Sequence, residues 1–239
     1  MPSIPTHDGF ILLGTLAGLV VWLHEARRRA VLDERLVWIL IGALLCGAFG
    51  ARLSVLWRYI SVDASPTASG FLLASGRSIL GGLTGAYAGV LLTKRLVGYQ
   101  APTGDVFAPA VALAMAIGRL GCFFTELPGT PTTLPWAVTF YDGVPRHPSF
   151  LYEILFQLAA FAVLWRARAR IHIPGDLFKI YLLLYAVFRF AVEFVRGNDL
   201  VWLGLTRPQL FLIPATLALG VYFLSRRRAV RAPLAPQVA

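Results

Sequence analysis

An apolar segment in the last quarter of the chain carries four polar side chains at helical spacing. The segment "LLLYAVFRFAVEFVRGND" spans residues 182–199 and includes Tyr185, Arg189, Glu193 and Arg196. At about 100° per residue, these four positions fall within about 80° of one helix face. A structural ion pair accounts for Arg189 with Glu193, but a second cation then lacks a partner, and an unpaired buried charge is costly. Because guanidinium groups bind phosphate oxygens in bidentate fashion, the stripe predicts an anion site, such as one for a phospholipid head group.

The composition of the chain indicates an integral membrane protein. Its 239 residues are 57% hydrophobic and only 14% charged, with a mean hydropathy of +0.69. A soluble domain usually has about 25% charged residues, which argues against a large soluble helical protein. The net charge of +10 would suggest nucleic acid in a soluble protein. In a membrane protein, Lys and Arg instead collect in the cytoplasmic loops, and we expect no nucleic-acid partner.

The hydropathy pattern predicts an all-α membrane protein with seven spans in a single polytopic domain, residues 1–239. The predicted spans are 9–26, 36–58, 71–93, 103–124, 149–165, 176–195 and 208–225. Clusters of Lys and Arg follow spans one, three, five and seven, which predicts an outside N-terminus and a cytoplasmic C-terminus. The longest outer connection, 125–147, contains "WAVTFYDGVP", which fits a short hairpin. The tail from about 229 to 239 is predicted to be disordered.

Several spans carry arginines near their outer ends. The residues concerned are Arg52, Arg77, Arg119 and Arg189. Ionisable groups within a membrane usually face the bundle interior or a wet cavity, so we expect one positively charged pocket that opens to the outer leaflet. Charges gathered at one depth also argue against a transporter. The glycine pairs Gly14/Gly18 and Gly81/Gly85/Gly89 predict close helix contacts.

The connection after span four holds further candidates with more than one interpretation. Arg119 either reaches to the membrane interface or joins the pocket. Glu126 is a loop carboxylate, a partner for an arginine, or a base, and His147 is a solvated loop residue or a functional one. Glu153 lies one turn into an apolar helix, so it requires a partner, either Arg146 or an arginine of the pocket. Neither cysteine forms a C-x-x-C pair or has a histidine at zinc-ligand spacing, so no metal site, cofactor or disulfide framework is expected.

Four segments, taken in order, resemble the prolipoprotein diacylglyceryl transferase family. They are "LGGLTG" at 80–85, "GRLGCFFTELPGTPTTLPWAVTF" at 118–140, "RHPSFLYE" at 146–153 and "YAVFRFAVEFVR" at 185–196. The N-terminal "IPTHDGFILLG" and "GARL" at 50–53 fit the family more loosely. The resemblance covers essentially the whole chain and implies a seven-helix fold in the bacterial inner membrane, with the site towards the periplasmic leaflet. It also implies transfer of a diacylglyceryl group from phosphatidylglycerol to a lipobox cysteine thiol of a prolipoprotein.

The resemblance implies site residues at matching positions. The catalytic candidates are Arg119, Arg189, Glu126 and His147. The candidates for binding the substrates are Arg196, Glu193, Tyr185, Gly129, Gly81, Gly82 and Glu153, and Tyr152 matches the block that contains His147. Arg77 is a further binding candidate because it is one of the arginines near the outer ends of the spans.

Three positions depart from the family pattern. Leu80 stands where the family has a histidine, Cys122 replaces an asparagine, and His7 lies near the place of an N-terminal tyrosine. The loop before Glu126 is also one residue short. These departures suggest a divergent paralogue, and they keep two alternatives open. One is the same lipid site with a different acceptor, a thiol, amine or hydroxyl; the other is a non-catalytic membrane protein that binds anionic lipids.

Overall fold

The computed structural model describes the backbone of residues 4–54, 78–127, 129–171 and 173–231, and the side chains in these ranges except those of 4–6 and 227–231. Seven helices make up most of this described part of the chain. They are α1 Ile4–Arg28, α2 Glu34–Leu53, α3 Ile79–Leu96, α4 Gly104–Thr125, α5 Ser149–Ala167, α6 Asp176–Glu193 and α7 Arg207–Arg231. Four short strands complete the elements: β1 Val138–Thr139, β2 Pro145–Arg146, β3 Leu200–Trp202 and β4 Leu205–Thr206.

Five of the described helices are long and apolar enough to cross a membrane: α1, α2, α4, α5 and α7. The other two are less apolar for different reasons. Helix α6 contains four charged residues in 18, whereas α3 is rich in glycine and ends with Lys94 and Arg95. The predicted class of all-α membrane protein is therefore supported. The count of seven spans and the orientation remain predictions.

The helix boundaries agree with the predicted spans to within a few residues at most ends. Helix α2 ends at Leu53 with Ser54 as its C-cap, and the last part of the second predicted span, 55–58, lies outside the described residues. Helix α3 begins after its N-cap Ser78, and the earlier part of the third predicted span lies outside the described residues. Helix α7 continues to Arg231. The rest of the predicted tail, 232–239, also lies outside the described part.

Contacts divide the chain into two compact units, one formed by Met1–Glu25 with Pro102–Ala239 and the other by Ala26–Ala101. The smaller unit consists mainly of α2 and α3 packed at very short range. A Cβ atom on Gly85 would collide with the carbonyl oxygen of Cys46, and one on Gly81 with the side chain of Ser54. The glycine repeat of α3 therefore allows the close contact that the sequence predicted. That the whole chain forms one domain stays a prediction.

In the larger unit, α1 packs against α4 in the antiparallel sense. A Cβ atom on Gly14 would lie 2.6 Å from the carbonyl oxygen of Ala114, and one on Gly18 would lie 3.1 Å from that of Ala110. The predicted Gly14/Gly18 contact is thus present. Because the two helices run in opposite directions, this packing places the start of α1 beside the end of α4.

Buried polar contacts fix the start and the middle of α6. Asp105 of α4 accepts hydrogen bonds from the backbone N–H groups of Gly175 (2.9 Å) and Leu177 (3.1 Å). A carboxylate at this end of a helix is stabilised by the orphan N–H groups and the helix dipole. Gly175 has a φ of 87°, a conformation that favours glycine. Further along, Tyr181 donates a hydrogen bond of 2.9 Å to Gln157 of α5. These contacts hold the polar face of α6 towards α4 and α5.

Two β-hairpins belong to the same unit. Strand β1 pairs with β2 in antiparallel register, within the segment where the sequence predicted a hairpin. Strand β3 pairs with β4 just before α7, and this second hairpin was not predicted. Thr206 then serves as the N-cap of α7: its backbone N–H donates to the Gln209 side chain (3.0 Å), and the Gln209 backbone N–H donates to the Thr206 hydroxyl (3.4 Å). This reciprocal pair is a capping box of the T-x-x-Q type.

Candidate active site

Three arginines and two glutamates meet inside the larger unit, and we call this group the arginine–glutamate cluster. Arg119 comes from the last two turns of α4, Glu153 from the second turn of α5, and Arg189 and Glu193 from the end of α6. Arg196 lies in the turn that follows α6, where its backbone N–H still bonds to the carbonyl of Glu193. The helix face predicted from the spacing of the α6 residues is therefore the face that points inward.

Glu153 is the shared anion of the cluster. Its carboxylate lies 2.5 Å from Nε of Arg119 and 2.6 Å from Nη1 of Arg196. Nη1 of Arg189 lies 3.9 Å from the same carboxylate. The sequence left Arg146 and the pocket arginines as possible partners of Glu153, and in the structure the pocket arginines pair with it. Arg146 instead pairs with Asp142 at 2.8 Å.

Glu193 is fixed by a different set of contacts. It pairs with Arg189 one turn earlier on α6. Its other carboxylate oxygen accepts hydrogen bonds from the side-chain amide of Asn198 and from the hydroxyl of Thr206 (3.0 Å). Thr206 thus links the N-cap of α7 to the cluster. Neither Asn198 nor Thr206 was a predicted site residue, although the T-x-x-Q sequence signals the helix start that positions Thr206.

The cluster is buried and carries a net charge of one positive. Both carboxylates are 0% exposed, and the side chains of Arg119, Arg189 and Arg196 are 8%, 7% and 14% exposed. An uncompensated charge in such surroundings is unfavourable, and a bound anion would offset it. Guanidinium groups are well suited to hold a phosphate or carboxylate there.

Tyr185 adds a second feature that suits a polar ligand. Its hydroxyl is buried and has no hydrogen-bond partner among the residues that the structure describes. It lies within electrostatic range of Glu153 and of all three arginines of the cluster. Its neighbour Tyr181, by contrast, is satisfied by Gln157. A buried hydroxyl without a partner is costly, so Tyr185 is ready to donate to an incoming oxygen atom.

Phe150 lies beside two of the cluster arginines. The guanidinium carbons of Arg196 and Arg119 are 5.2 Å and 5.7 Å from the centre of its ring. These distances are typical of cation–π contacts, which stabilise a cation without neutralising it. The ring therefore helps to hold the two side chains while leaving their positive charge available.

The loop after α4 is tied to the end of α6 at Gly129. A Cβ atom there would collide with the carbonyl oxygen of Val195. The backbone N–H of Gly129 donates to Ser149 (3.2 Å), its carbonyl accepts from Arg146 (3.2 Å), and the Thr130 N–H donates to Val195 (2.8 Å). Only glycine fits this position without moving the backbone. Gly129 thus places the loop next to the cluster, and its predicted part in substrate binding stays a prediction.

His147 belongs to this loop junction, where Nδ1 of its ring lies 3.3 Å from the hydroxyl of Tyr152. The Tyr152 hydroxyl also accepts a hydrogen bond of 2.8 Å from Trp136.

In the same loop, partial desolvation of Asp142 is outweighed by hydrogen bonds from Arg146 and the Val144 N–H, which lower the pKa of Asp142. The Asp142–Arg146 contact is therefore present above the ordinary carboxylate pKa and is lost as the pH falls through the lowered value.

Residues from the start of α1 and the end of α4 form a second polar group. Sγ of Cys122 lies 3.5 Å from Nε2 of His7, and the same nitrogen lies 3.6 Å from Glu126. Arg119 donates a hydrogen bond of 3.3 Å to Cys122, which connects this group to the arginine–glutamate cluster. Glu126, a predicted candidate, thus neighbours His7 and Cys122. Its side chain is 48% exposed.

The remaining predicted site residues belong to the smaller unit or fall outside the described residues. Gly81 and Gly82 belong to α3 of the smaller unit, where they face α2, and Leu80 precedes them. Arg52 is exposed in the last turn of α2. Arg77 lies outside the described residues. The predicted convergence of arginines is therefore observed for α4 and the end of α6.

These features define a multi-pass membrane protein with a buried, net-positive site suited to an acidic ligand. The sequence pattern of the prolipoprotein diacylglyceryl transferase family matches residues 3–225. Among its relatives is a phosphatidylglycerol–prolipoprotein diacylglyceryl transferase from Bordetella bronchiseptica, which is 36% identical over 82% of this chain and 78% of its own. Enzymes of the same name from Nitratidesulfovibrio vulgaris (strain Miyazaki F) and Finegoldia magna are 35% and 34% identical, over 91% and 88% of this chain and 87% and 86% of their own. The chain belongs to the prolipoprotein diacylglyceryl transferase family and is a transferase.

Proposed function

We propose that this protein transfers a diacylglyceryl group from phosphatidylglycerol to the lipobox cysteine of a prolipoprotein. The observation that carries the proposal is the arginine–glutamate cluster, which keeps one positive charge in excess inside an apolar protein. The phosphate of an anionic lipid would supply the missing negative charge. The names of the relatives agree with this substrate and this acceptor.

In this proposal the arginines bind the phosphate and stabilise the leaving group. The sulfur of the acceptor attacks the glyceryl carbon that bears the phosphate, a new C–S bond forms, and the C–O bond to phosphate breaks. Glycerol phosphate leaves with the electron pair of that bond. Arg119, Arg189 and Arg196 face the oxygen on which negative charge develops, which is electrostatic stabilisation by groups already in place. Tyr185 donates to a phosphate oxygen, and Glu153 and Glu193 orient the guanidinium groups.

The acceptor thiol must also lose its proton, because the thiolate is the nucleophile. A thiol with a pKa near about 8.5 is mostly protonated at neutral pH. Leu80 cannot act as a base, so the candidates are His7, Glu126 and His147. Of these, His7 and Glu126 belong to the group that contacts Arg119 through Cys122.

We further propose that the chain forms one domain of seven spans in the bacterial inner membrane, with the cluster towards the periplasmic leaflet. The distribution of Lys and Arg among the connections supports this orientation. Labelling of single cysteines placed in the two ends of α4 with a membrane-impermeant reagent tests it. Labelling of the Gly104 end, rather than the Thr125 end, from the outside would contradict it.

The direct test supplies purified protein with phosphatidylglycerol and a lipobox peptide and measures diacylglyceryl peptide by mass spectrometry. We expect product from the wild type and a loss of at least about 100-fold for Arg189→Ala, in line with removal of one strong transition-state donor. Arg95→Ala is the matched control, because Arg95 is exposed on the smaller unit and its removal leaves the cluster intact. No product from the wild type, with a family enzyme active in parallel, would refute the proposed reaction.

A second candidate function keeps the lipid site but changes the acceptor to another thiol, an amine or a hydroxyl. The observation that favours it is Leu80, since an apolar residue replaces the expected imidazole and the proton transfer must differ. Complementation of a strain depleted of its essential diacylglyceryl transferase separates the two. Rescue establishes the lipobox cysteine as acceptor, and failure with intact lipid turnover favours the second candidate. Lipid binding without any turnover would instead indicate a non-catalytic lipid-binding protein.

A further inference from the structure

We propose that His7, Cys122 and Glu126 form a binding site for a divalent transition-metal ion, with zinc as the ion that best fits these ligands. Each residue offers one ligand atom, and these atoms all lie within 4.8 Å of one another. From the sequence alone no metal site is expected, because no histidine stands at zinc-ligand spacing from a cysteine and His7 lies 115 residues from Cys122. It forms where the start of α1 meets the end of α4.

The distances between the ligand atoms fit a tetrahedral ion. Sγ of Cys122 is 3.5 Å from Nε2 of His7, and Nε2 is 3.6 Å from the carboxylate of Glu126. Zinc binds thiolate at about 2.3 Å and imidazole or carboxylate at about 2.0–2.2 Å, so tetrahedral angles place ligand atoms about 3.4–3.6 Å apart. The separation of 3.6 Å between Nε2 and the carboxylate is longer than an ordinary N–H···O hydrogen bond of about 2.7–3.2 Å, whereas 3.5 Å to sulfur suits either a hydrogen bond or a shared ion.

The orientation of the histidine also suits a bound cation. The thiol and the carboxylate both face Nε2, as two further ligands of one ion would. On the other side of the ring, Asp8 lies 3.5 Å from Nδ1. A carboxylate at one ring nitrogen, with the other nitrogen free to bind, is the usual outer-shell arrangement of a metal-bound histidine.

Helix packing holds the group in place. A Cβ atom on Gly121 would lie 3.0 Å from the carbonyl oxygen of His7 and 3.1 Å from Cβ of Phe10, so a larger residue would push α1 away. Phe10 and Phe124 stack with their ring centres 5.7 Å apart. The ligand atoms therefore come from two helices that are already in contact, which reduces the entropy lost on binding.

The mixed set of ligands selects among metals. Magnesium and calcium prefer oxygen atoms alone, whereas a thiolate, an imidazole and a carboxylate together suit zinc. Glu126 is 48% exposed and His7 is 23% exposed, which leaves a route for the ion. Three protein ligands leave a fourth position, as in catalytic zinc sites.

The acceptor thiol would bind at the fourth coordination position of the ion, a role that rests on the proposed function. An acceptor thiol that binds zinc loses its proton outright, so no imidazole base is needed. The sulfur then attacks the glyceryl carbon, the C–S bond forms as the C–O bond to phosphate breaks, and the thiol proton goes to solvent. The metal would in this way take the role of the family histidine that Leu80 replaces. One side chain, that of Cys122, would separate the ion from the arginines that hold the phosphate.

Metal content is measured on the full-length protein in detergent, without lipid or peptide. After incubation with zinc and removal of the excess, we expect about one zinc ion per chain. The cobalt-loaded protein should show a thiolate-to-cobalt charge-transfer band in the near ultraviolet. Cys122→Ser should abolish this band and lower the zinc affinity at least about 100-fold, and His7→Gln should lower the affinity similarly. Cys46→Ser is the matched control and should retain both, because Cys46 packs against Gly89 of α3.

A graded variant keeps the test informative if a ligand variant folds poorly. Asp8→Asn should weaken zinc binding by about 10–100-fold without removing the cobalt band, since Asp8 contacts the ligand and not the ion. No zinc on the wild-type protein above that on Cys122→Ser, or a cobalt band that survives in Cys122→Ser, overturns the site. Undiminished diacylglyceryl transfer after removal of the metal overturns the thiol-activating role. Because metal content is read without turnover, failure of the proposed reaction leaves the result on the site unchanged.

Discussion

Replacement of Glu153 by glutamine tests the charge balance on which the anion site depends. The carboxylate is fully buried and contacts Arg119, Arg196 and Arg189 at 2.5, 2.6 and 3.9 Å. Glutamine keeps the shape and one acceptor oxygen but removes the negative charge. The cluster then holds three cations against Glu193 alone, and its net charge rises from one to two positive.

The expected cost is that of leaving buried cations without their partner, about 3–5 kcal/mol. For a chain of this size, such a loss lowers the melting temperature by about 6–20 °C. The assay is the apparent melting temperature in detergent, followed by tryptophan fluorescence. Glu34→Gln is the matched control, because Glu34 is exposed and accepts one hydrogen bond from Trp38. It should change the melting temperature by about 1–2 °C at most.

Added lipid separates an anion site from an ordinary ion-pair network. A ligand at about 100 times its dissociation constant stabilises the folded state by about 2.7 kcal/mol, so phosphatidylglycerol should raise the melting temperature and phosphatidylcholine should not. The rise should be larger for Glu153→Gln than for the wild type, because the variant has more positive charge to neutralise. Equal effects of the two lipids, or a Glu153→Gln variant as stable as the wild type, would refute the reasoning.

Three further substitutions test individual parts of the site. Tyr185→Phe removes a buried hydroxyl that has no partner within the described part of the chain, so its melting temperature should be unchanged or higher while turnover falls about 10-fold. Thr206→Val removes both the N-cap of α7 and a donor to Glu193, and it should cost about 1–2 kcal/mol in thermal unfolding. Gly129→Ala places a methyl group against the Val195 carbonyl and should cost about 1–3 kcal/mol, whereas Gly143→Ala, with nothing within 4 Å, should lose less despite its positive φ.

Helical periodicity was sufficient to predict the inward face of α6. Tyr185, Arg189 and Glu193 lie within 80° by spacing, and all three are buried in the structure. The glycine repeats likewise predicted close helix contacts on α1 and α3, and the structure shows that the partners are α4 and α2. These features depend on one helix or on small residues at fixed spacing, so a short stretch of sequence is enough to predict them.

Pairings between distant segments could not be predicted in the same way. The sequence left the partner of Glu153 open between Arg146 and the pocket arginines, because both lie within reach of α5. It also gave no reason to place His7 beside Cys122. The β3–β4 hairpin was missed because its turn has an unusual residue: Leu203 adopts a φ of 52° just before Gly204, instead of the Asn or Asp that usually signals such a turn.

The two carboxylates of the cluster have different partners, and this difference determines which contacts a bound anion would replace. Glu193 is held by neutral donors, Asn198 and Thr206, as well as by Arg189, so its position does not depend on the charge of the site. Glu153 is instead shared among guanidinium groups that come from α4 and from the end of α6. An incoming phosphate would compete with Glu153 for these guanidinium groups and leave the contacts of Glu193 with neutral groups in place. The affinity for the anion should therefore respond to changes at Glu153, whereas the geometry of Arg189 should respond to changes at Glu193.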